Sequence, residues 1–252
     1  TLDENSEFFK WIINRNGFIS SKELLSFLKN KKRILDAGCG NGRITAMLHK
    51  YSPSNAEIVA FDIIESEIAK KNFGHLSRTN FLLMDLMSDL RKLGYFDFIY
   101  CQEVLHHVEN PKVAFENLVK ILSKNGDIAI YVYKIKGPIR EFSDEYIRKK
   151  VSDLKYDEAS QALTEITKLG KILTELNVKL KVPDIKLLDI KKGEYDLQRF
   201  IYHFFLKCFW NDDFSFKDNN AVNYDWYHPK LSFKFEIEEV KSWFDLNDLK
   251  IV

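Results

Sequence analysis

This chain of 252 residues contains few cysteines and carries almost no net charge. The three cysteines, Cys39, Cys101 and Cys208, are odd in number and widely separated, so they form no paired framework and predict a reducing compartment. The 38 basic and 37 acidic side chains are interleaved and give a formal net charge of +1. Without a basic stripe, a nucleic-acid partner is disfavoured.

Long apolar runs are also missing. No stretch of about eighteen apolar residues and no basic-then-apolar start occurs, so we predict neither a transmembrane helix nor a signal peptide. Histidines and carboxylates do not cluster at ligand spacing, and we expect no metal site. These absences favour a cytoplasmic enzyme, and the length allows one domain with an insertion.

What the chain does contain is a short apolar run followed by glycines at every second position. Residues 36–42 read D-A-G-C-G-N-G. A dinucleotide-binding turn, G-x-G-x-x-G, would need a glycine where this chain has Arg43. Glycine at 38 and 40 lets the backbone approach a ligand and adopt positive φ values. The carboxylate of Asp36 suits a ligand with cationic groups better than a pyrophosphate.

Further apolar runs that are β-branched or aromatic follow this turn, with helical patterns between most of them. They cover residues 57–62, 81–85, 96–101 and 128–133. The alternation predicts an α/β fold with a Rossmann-like, doubly wound and mostly parallel sheet. Ligands bind beyond the carboxyl ends of such strands. We therefore expect the residues at these ends to surround one crevice: Asp36, Asp62, Asp85 and Cys101.

Residues 33–133 resemble the core of class I S-adenosylmethionine (SAM)-dependent methyltransferases, and more narrowly the methyltransferase type 11 group. The motifs behind the resemblance are L-D-A-G-C-G-N-G at 35–42, the acids Asp62 and Asp85, V-L-H-H at 104–107 and the turn at 122–127. The resemblance implies methyl transfer from SAM, with S-adenosylhomocysteine (SAH) as the product.

It also implies which residues hold the cofactor. Asp62 would bind the ribose hydroxyls and Asp85 the adenine amino group, while the glycine-rich turn would surround the methionine part. The full set of cofactor-binding residues implied in this way is Asp36, Gly38, Cys39, Gly40, Asp62, Ile63, Asp85, Leu86 and Cys101.

Three segments organise the chain on this interpretation. We expect N-terminal helices and the core over residues 1–133, a mainly helical lid insertion after strand five over 134–230, and a C-terminal helix and strand over 231–252. A complete core of this class needs two strands after the fifth. Only one is visible, at 251–252, so we expect the last strand beyond the final residue.

Helical periodicity in the lid predicts helices over 139–154 and 157–180, the second broken near Gly170. Residues 195–210 are dense in aromatics and read as a helix buried against the core or in a homodimer. Arg199 and His203 would share one face of it. They either point into a substrate pocket or pair with neighbouring carboxylates.

Residues 223–229 are read as a loop rich in aromatic and hydrogen-bonding groups. Tyr224, Trp226 and Tyr227 are substrate-binding candidates there, since aromatic rings can box a cation or a sugar face. The alternative is that Trp226 only plugs the loop onto the core. The D-W-Y-x-P segment, followed by E-E-V-x-x-W-F, resembles a subset of bacterial methyltransferases from surface-glycan and natural-product pathways.

Two further assignments concern the N-terminal helix and the base. Phe8 and Trp11 would close over the cofactor or pack on the sheet. His106, His107, His203 and His228 are the candidates for a general base, because imidazole titrates near neutral pH. His106 and His107 are adjacent, so we expect at most one of them to face the acceptor, with His107 preferred. The alternative is that these histidines only line or cap loops.

Three functions stay open. The first is a SAM-dependent methyltransferase that acts on an oxygen or nitrogen of a small molecule or glycan precursor. The second is the same chemistry on a protein or RNA. The third is a SAM-binding scaffold without catalysis.

Overall fold

The structure, a computed structural model, describes residues 3–64 and 66–252, apart from the side chain of Phe8. The expected closure of Phe8 over the cofactor therefore lies outside the described part. The residues group into two compact units. The first unit comprises Thr1–Tyr133 and Phe235–Val252, and the second unit comprises Lys134–Lys234.

The elements of the first unit up to the end of its sheet are α1 (Glu7–Arg15), α2 (Ser21–Leu28), β1 (Arg33–Ala37), α3 (Arg43–Tyr51), β2 (Glu57–Asp62), α4 (Ser66–Phe73), β3 (Thr79–Leu83), β4 (Phe96–Gln102), α5 (Pro111–Val119) and β5 (Leu122–Tyr131). Those of the second unit are α6 (Pro138–Val151), α7 (Tyr156–Glu175), β6 (Lys179–Val182), β7 (Gly193–Asp196), α8 (Leu197–Phe204) and α9 (Phe216–Tyr227). The last helix, α10 (Ile237–Asp245), belongs to the first unit.

The sheet of the first unit is parallel throughout, with the strand order β3-β2-β1-β4-β5. Leu35 in β1 lies beside Val59 on one side and Ile99 on the other, and all three side chains are buried. Helices cover both faces of the sheet, because its strands carry apolar side chains on both faces and each face must be shielded from water. The predicted Rossmann-like α/β fold is confirmed. The strand order reverses between β1 and β4, which is where such sheets bind ligands.

Two differences from the expected strands concern the sheet edge. The predicted turn at 122–127 lies inside β5, whose register against β4 shifts between Phe96 and Phe98. The predicted strand at 251–252 is wrong, since both residues are exposed and irregular. Ile and Val favour a strand only where a neighbouring strand and a packing surface receive them. Within the described residues the sheet therefore has five strands.

The break predicted near Gly170 is also wrong, because α7 is continuous from Tyr156 to Glu175. Gly170 is present for close packing rather than for a kink. A Cβ atom there would lie 2.5 Å from the carbonyl oxygen of Cys208, which approaches the helix in the second unit. The helix ends before residue 180, and the residues from Lys179 form β6.

The aromatic segment is split rather than helical throughout. Residues 193–196 form β7, α8 spans only Leu197–Phe204, and residues 205–215 contain no regular element. Of the residues in α8, only Gln198 is buried, so within this chain the helix does not bury its aromatic side chains against the core. Its aromatic side chains instead pack on one another, as in the Phe200–Phe204 pair at 5.4 Å between ring centroids.

The second unit is held together by buried amide groups. Asn223 Nδ2 donates to Thr167 Oγ1 at 2.9 Å, and Asn223 Oδ1 accepts from the backbone N–H of Phe209. Asn220 Oδ1 accepts from the hydroxyl of Thr167 at 2.7 Å. These bonds tie α7, α9 and the irregular segment together, and each would cost free energy if one partner were removed.

These asparagines lie on α9, a helix that includes most of the segment predicted as a loop. Residues 223–227 are its last turn, and Ser215 caps its start by accepting from the N–H of Asp218. The loop prediction is therefore wrong. The buried amide side chains face α7 at helical spacing, a pattern that an apolar-periodicity reading does not detect.

Within the described residues, no helix has the length and apolarity needed to cross a membrane.

The contact at Gly170 gives a test with a defined sign. Helix propensity alone predicts that Gly170→Ala stabilises the protein by about 1 kcal/mol. The close approach of the Cys208 carbonyl predicts the opposite, a loss of about 1–3 kcal/mol, because an added methyl overpacks the site. Urea unfolding of the full chain measures the difference, with Gln161→Ala on an exposed part of the same helix as control. A rise in stability for Gly170→Ala would contradict the packing.

Candidate functional site

The end of β1 holds a carboxyl group that is almost completely buried. Asp36 is 2% exposed and accepts a hydrogen bond of 2.5 Å from the hydroxyl of Thr45 in α3. Burial, with a smaller contribution from the nearby Asp62, raises the pKa of Asp36 to about 7, and the Thr45 bond opposes this rise. A buried carboxyl in this state favours a cationic ligand, since a cation would offset the cost of its ionisation.

The glycines of the turn after β1 adopt positive φ values, as predicted. Gly38, Gly40 and Gly42 have φ values of +81°, +51° and +87°. The N–H groups of Gly38 and Cys39 both donate to the carbonyl of Phe61 at the end of β2. Most other residues adopt positive φ values only at a cost in free energy, so these positions favour glycine.

Close packing adds a second constraint on the same glycines. A Cβ at Gly38 would collide with the side chain of Val104, and one at Gly42 would lie 2.8 Å from a ring carbon of Phe73. Neither neighbour is visible in the motif itself, since both come from distant parts of the chain.

The acid that ends β2 shapes this turn. Asp62 accepts from the N–H of Gly40 at 3.0 Å through one oxygen and from the N–H of Ile64 at 2.9 Å through the other. The carboxylate therefore joins the glycine turn to the segment after β2. The side chain of Ile63 between them is largely exposed, at 59%.

The segment after β3 turns at its acid in a similar way. Asp85 accepts from the N–H of Met87 at 2.8 Å. Leu86 buries its side chain in the apolar core, and its carbonyl accepts from the amide of Asn117. The side chain of Leu86 is therefore not available to a ligand at the strand ends.

Two predicted cysteines differ in what they offer. Cys101 is fully buried in β4 among core residues, and burial raises the pKa of its thiol. Cys39 lies in the glycine turn and is also buried. Neither has the exposed, electropositive surroundings of a reactive thiol.

The end of β4 contains a cluster that the sequence did not indicate. Glu103 has a φ of +62°, an uncommon value for a residue other than glycine, and it pairs with Arg15 of α1 at 3.0 Å. The guanidinium of Arg15 lies over the rings of Trp11 and Tyr131, with its Cζ 3.3 and 3.9 Å from their centroids. Nearby, Gln102 hydrogen-bonds Asn16. The spacing of 88 residues between Arg15 and Glu103 leaves no local sequence signal.

The two histidines after β4 have unequal exposure. His106 is fully buried and stacks on Tyr133 at 3.6 Å, whereas His107 is half-buried and meets the same ring edge-on at 5.8 Å. His107 is therefore the more accessible of the two rings. Tyr133, which touches both, was not a candidate from the sequence.

The candidates on α9 are mostly engaged within the second unit. Tyr227 is fully buried and its hydroxyl donates to the carbonyl of Lys207. Both ring nitrogens of His228 are hydrogen-bonded, Nδ1 to the Tyr224 hydroxyl at 2.9 Å and Nε2 to the Leu154 carbonyl at 3.0 Å. These contacts hold Tyr224, Tyr227 and His228 to neighbouring groups of the second unit. Trp226 is 8% exposed.

The candidates on α8 are different because both are exposed. Arg199 and His203 lie one turn apart as predicted. Partial desolvation of the ring and the positive charge of Arg199 lower the pKa of His203. Arg199 also lines a cavity of about 420 Å³ in the second unit, together with Gln198, Trp210 and other residues between 173 and 213.

No group of three or more His, Cys, Asp or Glu residues with metal-binding geometry occurs in the part of the chain that the structure describes.

The first unit thus has the features of a nucleotide-type ligand site: a parallel sheet whose strand order reverses at β1 and β4, a glycine turn, and acids at the ends of three strands. The sequence profile of the family described as Methyltransferase domain matches residues 35–130, which is this part of the chain. Residues 35–130 are therefore a methyltransferase domain by sequence, and they form the parallel sheet of the class I SAM-dependent type.

Individual relatives agree with this match. Juvenile hormone acid O-methyltransferase from Bombyx mori is 34% identical over 100 residues, which is 38% of this chain and 36% of that protein. Ubiquinone biosynthesis O-methyltransferase from Coxiella burnetii is 26% identical over 197 residues, covering 71% of this chain and 76% of its own. This chain therefore spans only about a third of the length of the Bombyx mori relative.

A solved structure shares the fold over a longer part of the chain. PKMT2 from Rickettsia typhi in complex with AdoHcy has a TM-score of 0.57 and 17% identity, and the match covers 90% of this chain and 42% of that one.

The residues at the strand ends fit SAM on their own chemistry. SAM carries a cationic amino group and a sulfonium, and the buried carboxyl of Asp36 lacks a cationic partner among the contacts described above. Asp62 lies beside the glycine turn, bonded to the N–H of Gly40, and a carboxylate there suits hydroxyl donors.

The state of Asp36 predicts a pH effect on stability. Because the folded pKa, about 7, lies above the ordinary value of 3.8 for this side chain, the folded protein binds the extra proton between these values. Stability from this group is complete at low pH and is lost as pH rises through 7, by up to about 4 kcal/mol. Urea unfolding at pH 5 and pH 8 measures this, and Asp36→Asn is expected to lose less stability over that interval than the wild type. Equal losses in both proteins would contradict the raised pKa.

Proposed function

We propose that the protein transfers the methyl group of SAM to an oxygen or nitrogen atom of a small molecule or a glycan precursor. The observation that supports it most is the buried Asp36 carboxyl directly before a turn with three positive-φ glycines. The two O-methyltransferases among the relatives are named for small-molecule pathways, which favours an oxygen acceptor.

In this proposal, the strand ends of the first unit hold the cofactor. Asp36 accepts from its amino group, the backbone of the glycine turn lies along its methionine part, Asp62 accepts from the ribose hydroxyls and Asp85 from the adenine amino group. SAM supplies an activated methyl group on a sulfonium. Orientation of the acceptor against that group can account for up to about 7–11 kcal/mol of the barrier.

The protein's contribution to the acceptor is position and a route for its proton. His107 is the candidate base in the first unit, because it is half-buried and its ring is fixed against Tyr133. A base within hydrogen-bond reach is most effective when its pKa is near the working pH. His203 in the second unit is the other candidate.

We further propose that the second unit selects the acceptor. The family match ends at residue 130, before this unit begins. Selection by a separate unit would explain how one core serves different acceptors, because specificity lies in sites added to a shared fold.

Cofactor binding gives the first test of the assigned residues. Asp62→Ala is expected to weaken SAH binding by about 1–3 kcal/mol, the scale of lost hydrogen bonds to a charged group. Isothermal calorimetry on the full chain measures it, with the removal of an exposed acid, Glu109→Ala, as control. Asp62 also holds Gly40 and Ile64, so Asp62→Asn, which keeps one acceptor oxygen, is expected to be intermediate. Equal SAH affinity in all variants would remove Asp62 from the site.

Methyl transfer is tested with deuteriomethyl-SAM and a fractionated extract, read by mass spectrometry. Label in a small molecule or sugar nucleotide supports the proposal and identifies the acceptor. Label in protein or RNA contradicts a small-molecule acceptor and identifies a macromolecular one. Binding of SAH without label in any fraction favours a scaffold that does not catalyse.

A further inference from the structure

A patch of exposed basic side chains lies on the second unit beside α8. One face of α8 presents Arg199, Tyr202 and His203, which are three and four residues apart. The centroid of the Tyr202 ring is 5.5 Å from Cζ of Arg199 and 5.0 Å from the ring centroid of His203. Lys136, in the segment before α6, is exposed as well.

A buried arginine from α6 packs against the tyrosine of this patch. The Cζ atom of Arg140 lies 5.3 Å from the centroid of the same Tyr202 ring, and its Nη1 donates to the carbonyl of Tyr202. Arg140 is 2% exposed. Two guanidinium groups, from α6 and α8, therefore converge on one tyrosine.

The acids near the patch are already neutralised by other cations. Asp144 pairs with Arg140 at 2.8 Å and with Lys234 at 3.5 Å, and Glu141 pairs with Lys234 at 2.6 Å. In the described residues, neither the Lys136 ammonium nor the Arg199 guanidinium has a carboxylate within ion-pair distance. The patch thus keeps an excess of positive charge.

The positive charges of the patch lower the pKa values of its own members. Desolvation first, and then the charge of Arg140, lower the pKa of Lys136. Desolvation and the charges of Arg199, Lys136 and Arg140 lower the pKa of His203. Glu141 and Asp144 only partly oppose this for Lys136. An anion among these groups would relieve the repulsion, because an opposite charge favours the protonated forms.

We propose that Lys136, Arg199 and His203 bind an anionic group, a carboxylate or a phosphate, of the methyl acceptor. That the anion belongs to the methyl acceptor rests on the proposed function. The anion site itself involves only residues of the second unit. A planar guanidinium suits the paired oxygens of either anion, and the ammonium adds a point charge.

The cavity that Arg199 also lines is a poorer place for the same group. Asp196, Asp212 and Asp213 contribute to that cavity, and three carboxylates repel an anion. We therefore place the anion on the Tyr202 face of Arg199, which Lys136 and His203 share.

Three probes with one chain length test the site: octanoate, octyl phosphate and neutral octanol. Binding to the full chain without SAM is measured by NMR titration, at low and high salt. Arg199→Gln and Lys136→Gln are each expected to weaken anion binding about three- to tenfold. Lys192→Gln removes an exposed positive charge from the same unit, outside the patch, and is expected to change nothing.

The outcomes separate the sources of the anion. Preference for octyl phosphate indicates a phosphorylated acceptor and preference for octanoate a carboxylic acid, and equal binding of both supports the shared site. Equal binding of octanol, or equal weakening by Lys192→Gln, overturns the proposal. So does wild-type affinity in both Arg199→Gln and Lys136→Gln.

A second measurement connects the site to turnover. Extract metabolites are separated into anionic and neutral fractions before incubation with deuteriomethyl-SAM. Label in the anionic fraction, reduced in Arg199→Gln although SAH affinity is unchanged, supports an anionic acceptor. Label confined to the neutral fraction overturns it. Failure of SAH binding would refute the proposed function and not the anion site, because the probes bind without cofactor.

Discussion

The burial of the Asp36 carboxyl at the end of β1 is the constraint from which the site of the first unit follows. A carboxyl in the middle of a parallel sheet costs free energy unless it is bonded or kept neutral. Thr45 supplies one bond from the first turn of α3, and burial raises the pKa of the acid to about 7. The strand end is thus held in a state that a cation stabilises.

The glycine turn and Asp62 convert that constraint into a shaped surface. The turn is fixed at both of its sides, by N–H groups that reach the Phe61 carbonyl and by the N–H of Gly40 on the Asp62 carboxylate. Its backbone is already positioned before a ligand arrives, so binding loses little conformational entropy there. The same acid that would receive the ribose therefore also maintains the turn, and the two roles are coupled.

The second unit relies on different physics. Its helices α7 and α9 meet through asparagine and threonine side chains rather than through apolar ones alone. Fully bonded amides specify one arrangement, because any shift would leave a buried donor or acceptor unpaired. Two of these bonds join Asn223 to the backbone of Phe209 and so fix the segment after α8. The family core is shared with many proteins, whereas this arrangement belongs to the part of the chain outside the family match.

The sequence alone determined the parallel sheet, the turn after β1 and the acids at the strand ends, because each depends on local periodicity or on residue types within a few positions. It misassigned two elements of the second unit, because it predicted a loop where α9 lies and a longer helix than α8. Those elements are decided by side chains that meet over 50 residues or more, as Thr167 and Asn220 do. Only the tertiary structure brought Arg15 to Glu103 and Lys136 to the patch on α8, since contacts between distant segments leave no periodic trace in either one.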